Sequence, residues 1–286
     1  MFKTYLIKKI ITVLIILFFG QTVQAGKITN FLIKKGKEKL EELKNTSGEP
    51  NESNGKDAKY VNNGNKKIKK FSKAKKKLWK LYKGHEITIY CGCKYKKKKP
   101  DFTSCGYIPK KNNKRANRIE WEHVVPAHAF GKSFKEWTKG DEKCVKKGKR
   151  YKGRRCAGTN KLFAFMEADM YNLYPAIGEV NGLRSNYPIA EIPGEKREFG
   201  SCDVEIYKKK MEPSDQVKGN VARTYMYMEK AYPGRGIISK KNKKLIAAWD
   251  KLDPVDKWEC IRSKKIQKIQ KNVNQVLNKS CKDKGF

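Results

Sequence analysis

Eight cysteines constrain the fold of this chain more than any other feature of its sequence. In an exported protein, an even number of cysteines predicts a disulfide framework, here of four bonds. Short separations favour two of the pairs, and the remaining cysteines would then form the other two: Cys144–Cys156, Cys260–Cys281, Cys93–Cys105 and Cys91–Cys202. A zinc site at Cys91-Gly92-Cys93 and Cys105 is the alternative, which an oxidising compartment disfavours.

The N-terminus predicts export. Three lysines, at positions 3, 8 and 9, precede an apolar run from Ile10 to Phe19, and Val23-Gln24-Ala25 follows. This three-part pattern is typical of a secretory leader that is cleaved after Ala25. A membrane anchor is the alternative, but an apolar run of about ten residues is too short to cross a bilayer. We therefore expect a mature protein in the periplasm or outside the cell, without a membrane span.

The charge of the chain predicts an acidic partner. Lysine and arginine number 67 against 29 acidic residues, a net charge of +38. Removal of the leader, with its three lysines and no acid, leaves about +35, which attracts polyanions strongly. Nucleic acid, acidic lipid headgroups and acidic polysaccharide all fit this charge, and the charge alone does not choose among them.

Composition divides the chain into a signal peptide (residues 1–25), a basic flexible N-terminal segment (26–70) and a folded domain (71–286). The basic segment is poor in aromatic residues, and it either adds affinity for a polyanion or serves as an inert spacer. Apolar periodicity predicts helices over residues 71–83, 162–174, 178–184, 221–232, 240–250 and 257–276. A strand is predicted over 85–95, with 102–109 as its partner.

The centre of the chain carries its most reactive residues. Glu120 and Glu122 flank Trp121, and His123 follows, in a chain with three histidines. A histidine beside carboxylates is a candidate base near a metal. Neighbouring side chains on a strand point to opposite faces, so Glu122 and His123 share a cleft only if the backbone bends, as Pro126 would allow. A buried structural Glu–His pair is an equal alternative.

A second segment adds candidate oxygen ligands. Asn172 and Asn181 lie in an apolar, helix-forming context where asparagine is not favoured, and Arg184 follows. An amide oxygen suits a hard divalent cation, and Mg²⁺ typically takes one or two protein ligands and keeps its waters. A helix cap or turn is the commoner role of an asparagine, and Asn172 could be only that.

Two motifs resemble the bacterial endonuclease I family. They are I-E-W-E-H-V-V-P-A, from residue 119, and M-E-A-D-M-Y-N-L-Y-P-A-I-G-E-V-N-G-L-R-S-N, from residue 166. The resemblance covers 71–281 and implies an α+β fold, a mixed, disulfide-stapled structure with a ββα-metal active-site core. It also implies a monomeric secreted nuclease that cuts DNA, and RNA as well, without sequence preference and leaves 5′-phosphate ends.

The resemblance also assigns roles to individual residues. His123 would be the general base, and Glu122 and Asn181 would bind one Mg²⁺, which other divalent cations could replace. The Glu167 carbonyl would accept the Nδ1 proton of His123, leaving Nε2 for water. Either Arg154 or Arg155, next to Cys156, would contact the phosphate. Glu120 is a further candidate catalytic residue. Asn172 and Arg184 are candidates for supporting the residues that bind the metal and substrate.

The chain departs from the family near its C-terminus. Where the family has N-H-N-P, it has Asn272-Val273-Asn274-Gln275, so any role of that histidine is absent. A secreted cationic nucleic-acid-binding protein without catalysis is the main alternative, and it would explain the charge, the leader and the cysteines equally well. A membrane-active cationic toxin is the second alternative.

Overall fold

The computed structural model describes residues 64–110, 114–194 and 196–286. The predicted signal peptide and residues 26–63 of the basic segment lie outside this part. The elements are α1 (Phe71–Leu81), β1 (Tyr95–Lys96), β2 (Lys99–Pro100), β3 (Ile119–His123), α2 (Ala127–Gly131), α3 (Lys135–Thr138), β4 (Val145–Lys146), β5 (Lys149–Arg150), α4 (Arg154–Ala157), α5 (Lys161–Glu167), a 3₁₀ turn (Met170–Asn172), β6 (Leu173–Ile177), α6 (Gly178–Arg184), β7 (Glu205–Tyr207), β8 (Lys210–Glu212), α7 (Asp215–Ala231), α8 (Asn242–Leu252), α9 (Lys257–Gln270) and α10 (Gln275–Asp283). The expected α+β class is confirmed.

Strands β3 and β6 form the antiparallel pair at the centre of the fold, and α6 follows β6 directly. The register places His123 opposite Leu173 and Ile119 opposite Ile177. The other described strands form three short antiparallel pairs, β1–β2, β4–β5 and β7–β8. Strands β3 and β6, which are distant in sequence, and helix α6 form the ββα arrangement that the family resemblance implied.

The helix predicted over residues 162–174 was wrong in its second half. Helix α5 ends at Glu167, and from Leu173 the chain is a strand. Pro175 explains the difference, because a residue before proline is disfavoured in the helical region and favoured in the extended one. Although Pro175 has no N–H to donate, its carbonyl accepts a hydrogen bond from the Ile89 amide at 2.8 Å.

The strand predicted over residues 85–95 was also wrong. Within this range the only pairings are an isolated bridge between Ile87 and Lys94 and the pairing of Tyr95, the first residue of β1, with Pro100 of β2. Between Ile87 and Lys94 the chain turns tightly: the Gly92 amide donates to the Thr88 carbonyl, and Gly92 has a positive φ of 64°. A tight turn in the middle of a β-rich segment is invisible to an alternation pattern, because the flanking residues still alternate.

The helix predicted over residues 257–276 is two helices. Helix α9 ends at Gln270, since Lys271 adopts a left-handed conformation with φ 63°. Helix α10 begins after Asn274, whose side chain accepts a hydrogen bond from the Leu277 amide. Asn274 therefore serves as a helix cap, in the region where the family has its histidine motif.

All four expected disulfides are present: Cys91–Cys202, Cys93–Cys105, Cys144–Cys156 and Cys260–Cys281. Because the eight cysteines are all oxidised, the zinc interpretation is excluded.

Within the described residues, no helix is long and apolar enough to cross a membrane. Residues before Phe71 also pack against the folded domain. Asn65 is buried, and its backbone N–H donates to the Tyr232 hydroxyl at 2.8 Å.

Candidate active site

One cavity contains the central candidate residues. It measures about 990 Å³ and lies at β3 and α6. Its lining includes the histidine, both glutamates, one asparagine and two arginines of the predicted site: His123, Glu120, Glu122, Asn181, Arg154 and Arg184. Arg155 does not line it; its guanidinium lies over the Tyr151 ring, 4.8 Å from the centroid. Of the two interchangeable arginines, the structure therefore brings Arg154 to His123.

His123 enters the cavity because it is the last residue of β3. The backbone bends immediately after it, at Val124 and Val125. Asn172 holds this bend, because its side-chain oxygen accepts from the Val125 amide at 2.7 Å and its Nδ2 donates to the Val125 carbonyl at 2.9 Å. The bend expected near Pro126 is thus present, and Asn172 fixes it from the 3₁₀ turn that precedes β6.

The imidazole of His123 is held by the Glu167 carbonyl. The nitrogen at 2.8 Å from that oxygen is Nε2, so the expected Nδ1 contact was wrong and Nδ1 is the nitrogen without a hydrogen bond among the described residues. The Phe71 ring packs against the imidazole at 4.8 Å between centroids. Burial, followed by the nearby Arg154 guanidinium, lowers the pKa of His123 to about 3. At neutral pH the ring is therefore uncharged.

Glu122 is buried and held at one of its two oxygens. Oε1 accepts hydrogen bonds from Arg184 at 2.8 Å and from the Tyr90 hydroxyl at 3.0 Å. Burial raises the pKa of Glu122, while the Arg184 and Tyr90 contacts oppose this shift. Arg184 also donates to the carbonyls of His123 and Val124, so it fixes the carboxylate and the backbone beside the base together.

Glu120 and Asn181 contact each other across the cavity. Asn181 Nδ2 donates to Glu120 Oε2 at 2.9 Å. The same carboxylate accepts from Arg115 Nε at 3.1 Å and from Arg118 Nε at 2.8 Å. Burial would raise the pKa of Glu120, but these two arginines lower it overall. The carboxylate is thus charged and saturated with donors.

Arg154 is positioned by residues on both sides of the base. Its Nε donates to the Glu167 carboxylate at 2.6 Å, and its guanidinium lies 5.6 Å from the Phe71 ring centroid. Glu167 therefore holds the base through its backbone and this arginine through its side chain.

The model of the endonuclease I family matches residues 33–281. The chain belongs to the endonuclease I family. An extracellular deoxyribonuclease of Aeromonas hydrophila is 43% identical over 207 residues, which cover 70% of this chain and 85% of the relative. A periplasmic deoxyribonuclease of the same organism is 42% identical over 207 residues, covering 70% and 81%. Endonuclease-1 of Buchnera aphidicola subsp. Acyrthosiphon pisum is 43% identical over 206 residues, covering 70% and 77%.

The oxygen atoms of this endonuclease I chain fit a single hard cation. Glu122 Oε2 and Asn181 Oδ1 have no protein hydrogen-bond partner in the described ranges, and both residues line the cavity. No group of three or more His, Cys, Asp or Glu side chains that could hold a metal occurs in those ranges. One carboxylate and one amide oxygen are ligands of the kind that a hard divalent cation takes, with water completing its shell.

Several residues of the endonuclease I site were not found from the sequence. Arg115 and Arg118 saturate Glu120, Tyr90 holds Glu122, and Phe71 packs on the base. The only available signal was the position of the two arginines, shortly before Glu120 in the chain. Tyr90 carried no signal, because it reaches Glu122 from a segment 32 residues away.

Proposed function

We propose that this chain is a secreted, monomeric endonuclease that hydrolyses phosphodiester bonds of DNA, and of RNA, without sequence preference. The observation that carries the proposal is a single cationic cavity that combines an uncharged imidazole with two oxygens lacking protein partners. A base, a cation site and a phosphate-binding arginine are the parts that hydrolysis of a phosphodiester needs.

Each residue has one task in the proposed reaction. Nδ1 of His123 takes a proton from the water that attacks phosphorus in line with the departing 3′ oxygen. Glu122 Oε2 and Asn181 Oδ1 would hold one Mg²⁺, or another divalent cation in its place, which when bound stabilises the charge developing on the phosphate and on that oxygen. Arg154 holds the phosphate that stays on the 5′ end of the product.

The surface accounts for the lack of sequence preference. Contacts to phosphate supply affinity but carry no base information, and the net charge of about +35 that remains after removal of the predicted leader provides such contacts in excess. Recognition of the backbone does not need a 2′-hydrogen, so RNA is a substrate too. Export follows from the predicted leader, and the extracellular and periplasmic names of the relatives support it.

A plasmid-nicking assay tests the proposal directly. The wild-type protein is expected to nick and then linearise supercoiled DNA with Mg²⁺, to be inactive in EDTA, and to produce ends that a ligase can rejoin because they carry 5′-phosphate. DNA binding without any cleavage across a series of divalent metals would instead identify a non-catalytic cationic nucleic-acid-binding protein. Leakage of liposomes without effect on DNA would identify a membrane-active toxin.

A further inference from the structure

A second basic surface lies outside the catalytic cavity, between α1 and α9. It is a groove of about 490 Å³. We call it the lysine groove, after the five exposed side chains that line it: Lys77, Lys80 and Lys83 near α1, and Lys265 and Lys268 on α9. Its remaining lining is Leu81 and Ile269.

The charges of the lysine groove are not compensated by ion pairs in the part of the chain that the structure describes. None of its five lysines forms an ion pair with a carboxylate of the described residues. Lysines three or four residues apart on one helix lie on the same face, and like charges at that spacing destabilise a helix. An anion that binds between such lysines reduces their mutual repulsion.

The two helices hold the lysine groove in a fixed shape. The buried Arg262 on α9 donates from Nε to the Tyr82 hydroxyl, at the end of α1, over 2.8 Å. The Tyr82 ring also contacts the Trp258 ring, with centroids 5.5 Å apart. Because these walls are anchored in the core, the four lysines that lie on the two helices do not depend on a loop for their positions, and only Lys83 lies in a turn.

Helix α1 connects the lysine groove to the catalytic cavity. Lys75, Lys76 and Trp79 line the cavity, while Lys77 and Lys80 line the groove. Cations therefore continue around α1 from one site to the other. The helix has 11 residues, which at 1.5 Å each is about 16 Å, or about five base pairs of duplex.

We propose that the lysine groove is a second phosphate-binding surface, which holds the backbone of a nucleic-acid substrate beyond the segment in the catalytic cavity. The proposal rests on the nuclease function proposed above. A nucleic acid fits better than an anionic membrane, because lysines of α1 line both the groove and the cavity, and because the apolar floor of the groove is covered: Leu81 is buried and Ile269 is half-buried. Little apolar surface is left for acyl chains.

The test compares two variants that lose the same charge. In the groove variant, Lys77, Lys80, Lys265 and Lys268 are replaced by glutamine. In the control variant, the exposed lysines of the α8 start are replaced in the same way: Lys240, Lys241, Lys243 and Lys244. Binding to duplexes of about 8 and about 40 base pairs, about 27 and 136 Å long, is measured by fluorescence anisotropy in EDTA, where cleavage does not interfere.

The groove variant should bind the long duplex about tenfold more weakly than the control variant, with a shallower dependence on salt, because fewer counterions are released. Both variants should bind the short duplex equally and cleave it at equal rates with Mg²⁺, which also verifies folding. Equal binding of the long duplex by both variants would overturn the inference. So would a groove-variant loss seen only with vesicles containing phosphatidylserine.

Failure of the nuclease function gives a different result. If the wild-type protein binds but never cuts either duplex, the proposed function is wrong. The lysine groove is then judged by the anisotropy comparison alone, which needs no cleavage.

Discussion

Asn181 Nδ2 donates a hydrogen bond to Glu120 Oε2 over 2.9 Å, which joins α6 to β3 across the candidate active site. This contact fixes the orientation of the amide, because the nitrogen is committed to Glu120 and the oxygen is left for another ligand. Arg115 and Arg118 hold Glu120 in turn. We therefore expect Glu120 to position Asn181, since its own carboxylate is already occupied by three donor residues.

Replacing Glu120 with alanine should weaken metal binding. Loss of a residue that orients a ligand typically costs 10- to 100-fold in metal affinity, so the Mg²⁺ concentration for half-maximal activity should rise by about that factor. Activity at saturating Mg²⁺ should be largely restored. Glu198→Ala, which removes a carboxylate from a surface pair with Lys110, is the matched control. An unchanged Mg²⁺ dependence in Glu120→Ala would refute the positioning role.

Replacing His123 with alanine should remove the base and leave DNA binding intact. A general base contributes about 10²- to 10⁴-fold, so single-turnover cleavage should slow by that range. His128→Ala is the control, since His128 also lines the cavity and only its edge contact with Trp137 is lost. Cleavage by His123→Ala at the wild-type rate would show that another group accepts the proton.

The two neighbouring arginines should differ in effect. Arg154→Ala is expected to lower kcat/KM by about 10- to 100-fold, the range for a hydrogen bond to a charged group. Arg155→Ala should change it little, because Arg155 lies against Tyr151 and not in the cavity. Kinetics on one short duplex compares them directly. A larger loss from Arg155→Ala would mean that the loop rearranges when substrate binds.

Local patterns were sufficient for part of this structure. The short helix Gly178–Arg184 and the disulfides Cys144–Cys156 and Cys260–Cys281 were predicted correctly from local signals, and the other two disulfides followed as the remaining pairs. Strand β6 was not, because five consecutive buried residues fit a helix and a strand equally well. Pro175 disfavours the helix locally, and pairing with β3, about 50 positions earlier in the chain, completes the strand.

The site could be predicted as a set of residues, but its contacts could not. Glu120 and Asn181 are 61 positions apart, and the sequence gives no register that would bring them together. For the same reason, the spacing of residues does not reveal that Arg184 binds Glu122, 62 positions away. Which imidazole nitrogen faces Glu167 depends on the ring orientation, and the residue pattern does not encode it.

Stability without metal should depend on pH through His123. Burial lowers the pKa of His123 to about 3, whereas the unfolded chain has the ordinary value of about 6.5. Below pH 6.5 the unfolded state therefore binds a proton that the folded state does not, so stability falls as pH falls from 6.5 towards 3. Between pH 6.5 and 5 the loss is about 2 kcal/mol at most.

Urea unfolding in EDTA at several pH values measures this dependence. In His123→Asn, the free energy of unfolding should differ less between pH 6.5 and pH 5 than in the wild type. The buried carboxylates contribute equally to both proteins, so their effect cancels in this comparison. Identical pH dependence in the two proteins would mean that the folded state admits a charged imidazole at position 123.

Removal of single disulfides should separate stability from catalysis. Cys91–Cys202 closes a loop of 111 residues and Cys260–Cys281 one of 21, so loop entropy predicts losses of about 4–5 and about 3 kcal/mol. Only the first bond adjoins the site, because Cys91 follows Tyr90, the residue that donates to Glu122. The double alanine variant at positions 91 and 202 should therefore also need more Mg²⁺, measured well below its melting temperature. The variant at positions 260 and 281 should keep the wild-type Mg²⁺ dependence. Equal shifts in both would show that Tyr90 is held in place by the core alone, and that this disulfide serves only stability.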